Sequence, residues 1–111
     1  MGVAAAQTGD PYVYGAAGPN AFDCSGLTSF VYRVAAGKSL PHSSSAQKGA
    51  TQSISRAAAR PGDLVFFHGS GGIYHVGIFA GGNSLIHASK PGTPVSRARI
   101  WTSAVSFGRV R

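Results

Sequence analysis

Cysteine is scarce in this chain: its 111 residues include one, Cys24. A single cysteine cannot form an internal disulfide, so the sequence excludes a disulfide-rich scaffold. Acidic residues are few as well, three against ten Lys and Arg. No apolar run approaches the roughly 20 residues that cross a bilayer, so no membrane-spanning helix is expected. Glycine is abundant, with 16 residues beside 6 prolines, which predicts many turns and short elements.

The net charge of +7 favours polyanionic surroundings such as nucleic acid, anionic lipid or bacterial wall polymers. Zinc-finger spacing, an aromatic RNA-binding strand and a basic region with heptads are all missing from the sequence, so we expect no nucleic-acid partner. Metal-binding spacings such as His-x-His, His-Glu-x-x-His and Cys-x-x-Cys are missing too, so no metal site is expected. The alternative for the charge is that it serves only solubility.

The length fits one domain over residues 1–111, with residues 1–10 as a lead-in segment. Residues 1–6 lack the basic region and long apolar core of a signal peptide. About 43% of the residues are apolar, which is enough for a hydrophobic core.

The apolar residues after Cys24 recur at helical spacing, which predicts a helix over residues 24–36. They are Leu27, Phe30, Val31 and Val34. Asp23 is the predicted N-cap, and Gly37 is the predicted stop. The thiol would then lie at a helix N-terminus, where free N–H groups and the helix dipole are expected to lower its pKa. The alternative is a small buried hydrophobe.

The second half of the chain changes from helical to strand-like patterning. A short polar helix near residues 45–51 is followed by the turn Arg60–Asp63. We predict strands over residues 64–67, 74–79, 83–88, 95–100 and 107–111. Helices first and strands second indicate an α+β domain, with helices packed on an antiparallel sheet.

His75 and His87 fall on adjacent predicted strands joined by glycines. A three-residue turn over residues 80–82 would place them directly opposite each other on one face, which we expect to meet Cys24. A two-residue turn at residues 81–82 would put them on opposite faces. We favour the first, because Val76 then pairs with Ile86 on an apolar face.

Three segments together resemble the NlpC-type cell-wall cysteine peptidases: Asp23–Leu27, Arg60–Phe67 and His75–Ile78. The resemblance covers the chain from about Pro11 to its end, and the basic, glycine-rich composition is similar to mycobacterial and other actinobacterial members. It implies a papain-like fold, with N-terminal helices on a central antiparallel sheet of five to six strands.

The resemblance also implies roles for individual residues. Cys24 would be the nucleophile, His75 the general base, and His87 the polar residue that orients His75. Tyr12 matches a tyrosine placed near the oxyanion. The remaining matches line the substrate groove: Asp23, Ser25 and the loop containing His42.

The implied activity is that of a peptidoglycan endopeptidase without metal or cofactor. It would cut the stem peptide between D-glutamate and meso-diaminopimelate. The protein would then be secreted or surface-exposed, without a membrane span, and monomeric. Its partners would be peptidoglycan stem peptides and anionic wall polymers. Two alternatives stay open: an N-acetylmuramoyl-L-alanine amidase of a related papain-like family, and a non-catalytic wall-binding module.

Overall fold

A computed structural model of the chain describes residues 2–111. Three helices come first: α1 (Gly2–Ala6), α2 (Cys24–Ala36) and α3 (Ser44–Gly49). The strands follow as β1 (Thr51–Ile54), β2 (Leu64–Gly69), β3 (Gly72–Gly81), β4 (Ser84–His87), β5 (Ser96–Arg99) and β6 (Val105–Val110). They form a sheet in the order β1-β6-β2-β3-β4-β5, antiparallel throughout. The predicted α+β class, with helices on an antiparallel sheet of six strands, is confirmed.

Helix α2 begins and ends where its capping residues predict. The Asp23 carboxylate accepts a hydrogen bond from the backbone N–H of Gly26, and Gly37 takes the left-handed conformation that closes the helix. Leu27 and Val31 are buried on the inner face. This geometry fixes Cys24 as the first residue of the helix.

The sheet separates two hydrophobic clusters. The cluster under the helices joins Leu27 and Val31 to alternate strand residues, among them Phe66, Val76, Ile78 and Ile86. The second cluster contains Val65, Phe67, Phe79, Leu85, Ile100 and Phe107. Ala4 of α1 is fully buried in the first cluster and Val3 packs against it, so the predicted lead-in contributes to the core.

One strand was not predicted. Thr51–Ile54 pairs with β6 at the edge of the sheet, and α3 ends at Gly49 instead of reaching residue 51. Strand β1 has two exposed polar residues, Gln52 and Ser53, and so lacks an apolar pattern. Its pairing with β6 defines it as a strand, and that partner lies more than fifty residues further along the chain.

The β3–β4 hairpin differs from both predicted turns. Gly81 pairs with Ser84 across a two-residue turn, and a bulge at Ala80 then shifts the register so that Phe79 pairs with Leu85 and Ile78 with Ile86. The predicted pairings of His75 with His87 and of Val76 with Ile86 are therefore wrong. Because the bulge adds one residue to β3, the two histidines still share a face, offset diagonally by two positions.

Candidate active site

The thiol of Cys24 lies where the start of α2 meets the exposed edge of β3. Phe79 donates its backbone N–H to Asp63 on the β2 side, so in the alternating ladder the N–H of Val76 points away from β2. Strand β4 ends at His87, before it would reach Val76. The backbone of Val76 instead lowers the pKa of the Cys24 thiol, as a backbone group close to the sulfur does. This contact places the thiol beside the residue that follows His75.

His75 and His87 are joined by a hydrogen bond. His75 Nε2 lies 2.9 Å from His87 Nδ1, and both side chains are buried. Continuing the register places Gly77 opposite His87. A Cβ atom on Gly77 would lie 2.4 Å from Leu85 Cδ1 and 3.2 Å from His87 Cβ. Glycine at this position therefore leaves the space that the Leu85 side chain, and to a lesser extent His87, needs.

The histidines lie on the sheet face opposite the helix-covered cluster, a difference from the expected face. His75 is opposite Phe67, which belongs to the second cluster, whereas neighbouring Val76 belongs to the first. Cys24 packs against the first cluster, close to the backbone of Val76. Since His75 Nε2 is bonded to His87, Nδ1 is the ring nitrogen left for the thiol.

Burial keeps this group of side chains neutral. Burial and the neighbouring His87 lower the pKa of His75 to about 4, and burial also lowers the pKa of His87. Burial raises the pKa of the Cys24 thiol, and the Asp23 charge adds to this effect. Backbone groups of Val76, Ser25 and Cys24 lower that pKa but do not prevail. The expected net lowering by the helix N-terminus is therefore wrong, because desolvation is the larger effect.

Asp23, the residue before Cys24, fixes the backbone at the start of α2. Its two carboxylate oxygens accept hydrogen bonds from the backbone N–H groups of Gly26 at 2.7 Å and Gly15 at 2.9 Å. His42 Nε2 lies 2.7 Å from the same carboxylate. A buried carboxylate is stable only with such partners. The structure therefore brings Asp23 and His42 together; that they line a substrate groove stays a prediction.

Tyr12 is held near this cluster by a bridge between its strand-like segment and Phe22. Burial raises the pKa of the Tyr12 hydroxyl, and the negative charges of Asp23 and of Cys24, once its thiol ionises at high pH, add to this effect. The hydroxyl consequently keeps its proton and can donate a hydrogen bond to an oxyanion.

Ser25, in contrast, is buried, and its carbonyl oxygen accepts a hydrogen bond from within the protein. Fully buried Gln47 donates from Nε2 to the carbonyl oxygens of Ser25 at 2.9 Å and Pro41 at 2.8 Å. Its Oε1 accepts from the Thr28 hydroxyl at 2.5 Å. Gln47 thus ties α3 and the His42 loop to the first turn of α2, and little of the Ser25 side chain remains accessible.

Sequence reasoning missed two residues at the site, Gln47 and Trp101. Gln47 carries no local signal, since a glutamine in a polar helix is ordinarily exposed. Trp101 lies between β5 and β6, stacks on Phe67 with ring centroids 4.2 Å apart, and has its ring within 6 Å of both histidine rings. A lone tryptophan outside the predicted strands was the available signal.

A family model for the NlpC/P60 family matches residues 9–106. The chain belongs to the NlpC/P60 family. It is 45% identical over 105 residues to a probable endopeptidase p60 of Listeria grayi, covering 92% of this chain and 20% of that protein. It is 47% identical over 111 residues to the probable endopeptidase Cgl2188 of Corynebacterium glutamicum, covering 95% and 52%. The NlpC/P60 match thus spans about a fifth to a half of these relatives.

Solved NlpC/P60 structures share the fold. The NlpC/p60 domain of the peptidoglycan hydrolase SagA superposes with a TM-score of 0.87 at 38% identity, covering 99% of this chain and 93% of that domain. RipD of Mycobacterium tuberculosis, described as a non-catalytic NlpC/p60 protein adapted to peptidoglycan binding, superposes at 0.83 with 26% identity, covering 99% and 93%. The family therefore includes hydrolases and a protein without catalysis, and the residues of the site must distinguish them.

Within residues 2–111, no three His, Cys, Asp or Glu side chains are grouped so as to hold a metal ion. None of the helices in that range has the length and apolar character needed to cross a membrane.

Proposed function

We propose that this NlpC/P60 chain is a cysteine endopeptidase of peptidoglycan, cutting the stem peptide between D-glutamate and meso-diaminopimelate. The observation that carries the proposal is the hydrogen-bonded His75–His87 pair. His75 directly precedes Val76, whose backbone lowers the pKa of the Cys24 thiol at the start of α2. The named activity of its relatives as probable endopeptidases supports the reaction class. A secreted or surface location follows from the proposed substrate, which lies outside the cell membrane.

In the proposed reaction, Cys24 attacks the carbonyl carbon of the amide as its proton moves to His75 Nδ1. The raised pKa of the thiol and the lowered pKa of His75 mean that the resting pair is neutral, so proton transfer accompanies attack. His75 must then carry its resting proton on Nε2 and donate it to His87 Nδ1. In this arrangement His87 fixes the tautomer of His75 and stabilises the imidazolium that forms.

Two kinds of hydrogen-bond donor would stabilise the developing oxyanion. The backbone N–H groups at the start of α2 lie beside the sulfur, and the Tyr12 hydroxyl stays protonated nearby. Fixed donors of this kind stabilise the tetrahedral intermediate without reorganising. His75 then protonates the leaving amine, and water attacks the thioester with His75 as base.

Asp23 and His42 are proposed to line the part of the groove on the acyl side of the cut bond. Asp23 directly precedes Cys24 as the N-cap of α2. Its carboxylate accepts hydrogen bonds from two backbone N–H groups and lies within hydrogen-bonding distance of His42. Ser25 contributes through its backbone, because its side chain is buried. The excess of basic residues is proposed to favour anionic wall polymers as partners.

Mass spectrometry of digested peptidoglycan tests the reaction. Cleavage after D-glutamate leaves a dipeptide on each sugar, whereas an N-acetylmuramoyl-L-alanine amidase releases the whole stem, so product masses separate the two. Cys24→Ala should abolish product release while the thermal melt stays cooperative. Activity retained by a folded Cys24→Ala protein would contradict the nucleophile assignment.

Cys24→Ala also tests the remaining alternative, a non-catalytic wall-binding module. If wild-type protein releases no fragments yet sediments with insoluble wall as strongly as Cys24→Ala does, the module is a binder. Release by wild type alone, with wall binding by both proteins, supports the endopeptidase.

A further inference from the structure

Gln47 is a fully buried polar residue that the proposed reaction does not use. Its Nε2 atom lies between two carbonyl oxygens, that of Ser25 at 2.9 Å and that of Pro41 at 2.8 Å. A carbonyl oxygen can only accept a hydrogen bond, so the amide must direct its two N–H groups to this pair and its oxygen to the Thr28 hydroxyl. The contacts leave one orientation for the side chain, which connects α2 to the loop that contains Pro41.

That loop carries His42, and the position of His42 depends on how Pro41 is held. Proline has no backbone N–H, so the carbonyl oxygen is the backbone hydrogen-bonding group of Pro41. His42 Nε2 lies 2.7 Å from the Asp23 carboxylate, but the His42 side chain is 35% exposed. Water weakens an exposed pair of this kind. The hydrogen bond from the buried Gln47 amide is shielded from water and is therefore the firmer restraint on the loop.

The surroundings of this connection are held independently of Gln47. The first turn of α2 has the Asp23 cap and its own backbone hydrogen bonds. Leu40 is buried, and its carbonyl accepts a hydrogen bond from Ser29 at 3.2 Å. Loss of the Gln47 amide should consequently leave the start of α2 in place and displace the segment that follows Leu40. We propose that Gln47 is a positioning residue, which holds His42 against Asp23 and thereby shapes the acyl side of the groove; the effect on substrate rests on the proposed function.

Kinetics on the stem peptide L-Ala-γ-D-Glu-meso-diaminopimelate-D-Ala separate this role from a general loss of stability. Gln47→Ala should raise KM about tenfold, the effect of one lost hydrogen bond. It should change kcat by less than about threefold, because Cys24 stays in place. Phe107→Leu is the control, since it removes packing from the second cluster and should keep the wild-type KM. An unchanged KM in Gln47→Ala, or an equal rise in Phe107→Leu, would overturn the proposal.

A double-mutant cycle tests whether Gln47 acts through His42. His42→Ala should itself raise KM, and Gln47→Ala should then add less than about twofold in the His42→Ala background. The free energy of unfolding should still fall with the second substitution, because the hydrogen bonds of Gln47 to Ser25 and Thr28 remain to be lost. The same rise in KM in both backgrounds would show that Gln47 does not act through His42.

Gln47→Glu keeps the shape of the side chain and makes the connection depend on pH. Burial raises the pKa of such a carboxyl group, and its ionised form would face two carbonyl oxygens without a proton to share. The protonated form can donate its one O–H to Pro41, because the Ser25 carbonyl also lies 3.0 Å from the Thr28 hydroxyl. The ratio of the variant KM to the wild-type KM should therefore fall between pH 8 and pH 6. A ratio that stays constant or rises would contradict the assignment.

Nuclear magnetic resonance tests the position of His42 without catalysis. His42 Nε2 and the backbone nitrogen of Gly26 each lie 2.7 Å from the same oxygen of Asp23, so the ring protons are close to the Gly26 N–H. The nuclear Overhauser effect between them should be present in wild type and in Phe107→Leu, and lost in Gln47→Ala. Failure of wild type to cut the peptide would refute the proposed function, yet this measurement would still decide the positioning. An effect of wild-type strength in Gln47→Ala would overturn it.

Discussion

Acidification from pH 8 to pH 5 should destabilise the protein through its buried histidines. The pKa of His75 is lowered from 6.5 to about 4, so the unfolded chain binds this proton at a higher pH than the folded protein does. Stability is then fully present above pH 6.5 and is lost as the pH falls toward 4. At pH 5 the loss from His75 alone is ~2 kcal/mol, taking 1.36 kcal/mol for each pKa unit. His87 shifts in the same direction and adds to the loss.

Urea unfolding at pH 8, 6.5 and 5 measures this effect, in a range above that in which ordinary carboxylates titrate. His75→Gln should show a much smaller loss between pH 8 and pH 5. His68→Gln removes an exposed histidine of β2 while keeping the buried pair, and should lose stability as wild type does. A protein that becomes more stable as the pH falls to 5 would refute the reasoning. That result would mean that His75 is held as an imidazolium, paired with a Cys24 thiolate.

The remaining predictions concern the supports of the site. His87→Ala should lower kcat on a defined stem peptide on the order of 10- to 1,000-fold, less than His75→Ala, with partial recovery in His87→Gln. Gly77→Ala should cost about 1–3 kcal/mol in urea unfolding and also lower kcat, because its methyl group would overlap Leu85 and press on His87; wild-type kcat would contradict the tight fit. Gln47→Ala should lower the free energy of unfolding by about 2–4 kcal/mol, since it removes a partner from three hydrogen-bonding groups, two of them buried; a loss within error would show that water replaces the amide. Sedimentation with purified wall should weaken between low and high salt, and unchanged binding would show that the +7 charge is incidental.

Helix α2 and the position of Cys24 could be predicted because their determinants are local. The apolar spacing, the Asp23 cap and the Gly37 stop all lie within fifteen residues. The sharing of one face by His75 and His87 was also predicted, although the pairing was wrong. The bulge at Ala80 could not be read from the hairpin alone, because β4 must also match β5 on its other edge.

The electrostatics of the site depended on contacts that sequence does not reveal. A helix start suggests a thiolate, but the raised pKa of Cys24 follows mainly from burial. Trp101 contributes to the histidine environment because buried Ile100, with its N–H bonded to the carbonyl of Asn83, directs the chain back over the sheet. Such a path is set by tertiary packing, and no local pattern of residues encodes it.

The bulge at Ala80 also limits how this hairpin can change in length. Side chains alternate across a strand, so removing the one extra residue would turn β4 over relative to β3. Leu85 and His87 would then exchange faces with Ile86 and Ala88, which breaks the histidine pair and both hydrophobic clusters at once. A second one-residue insertion or deletion would restore the alternation of side chains, whereas a single one would not. In descendants of this gene, insertions and deletions in the hairpin should therefore survive in even numbers.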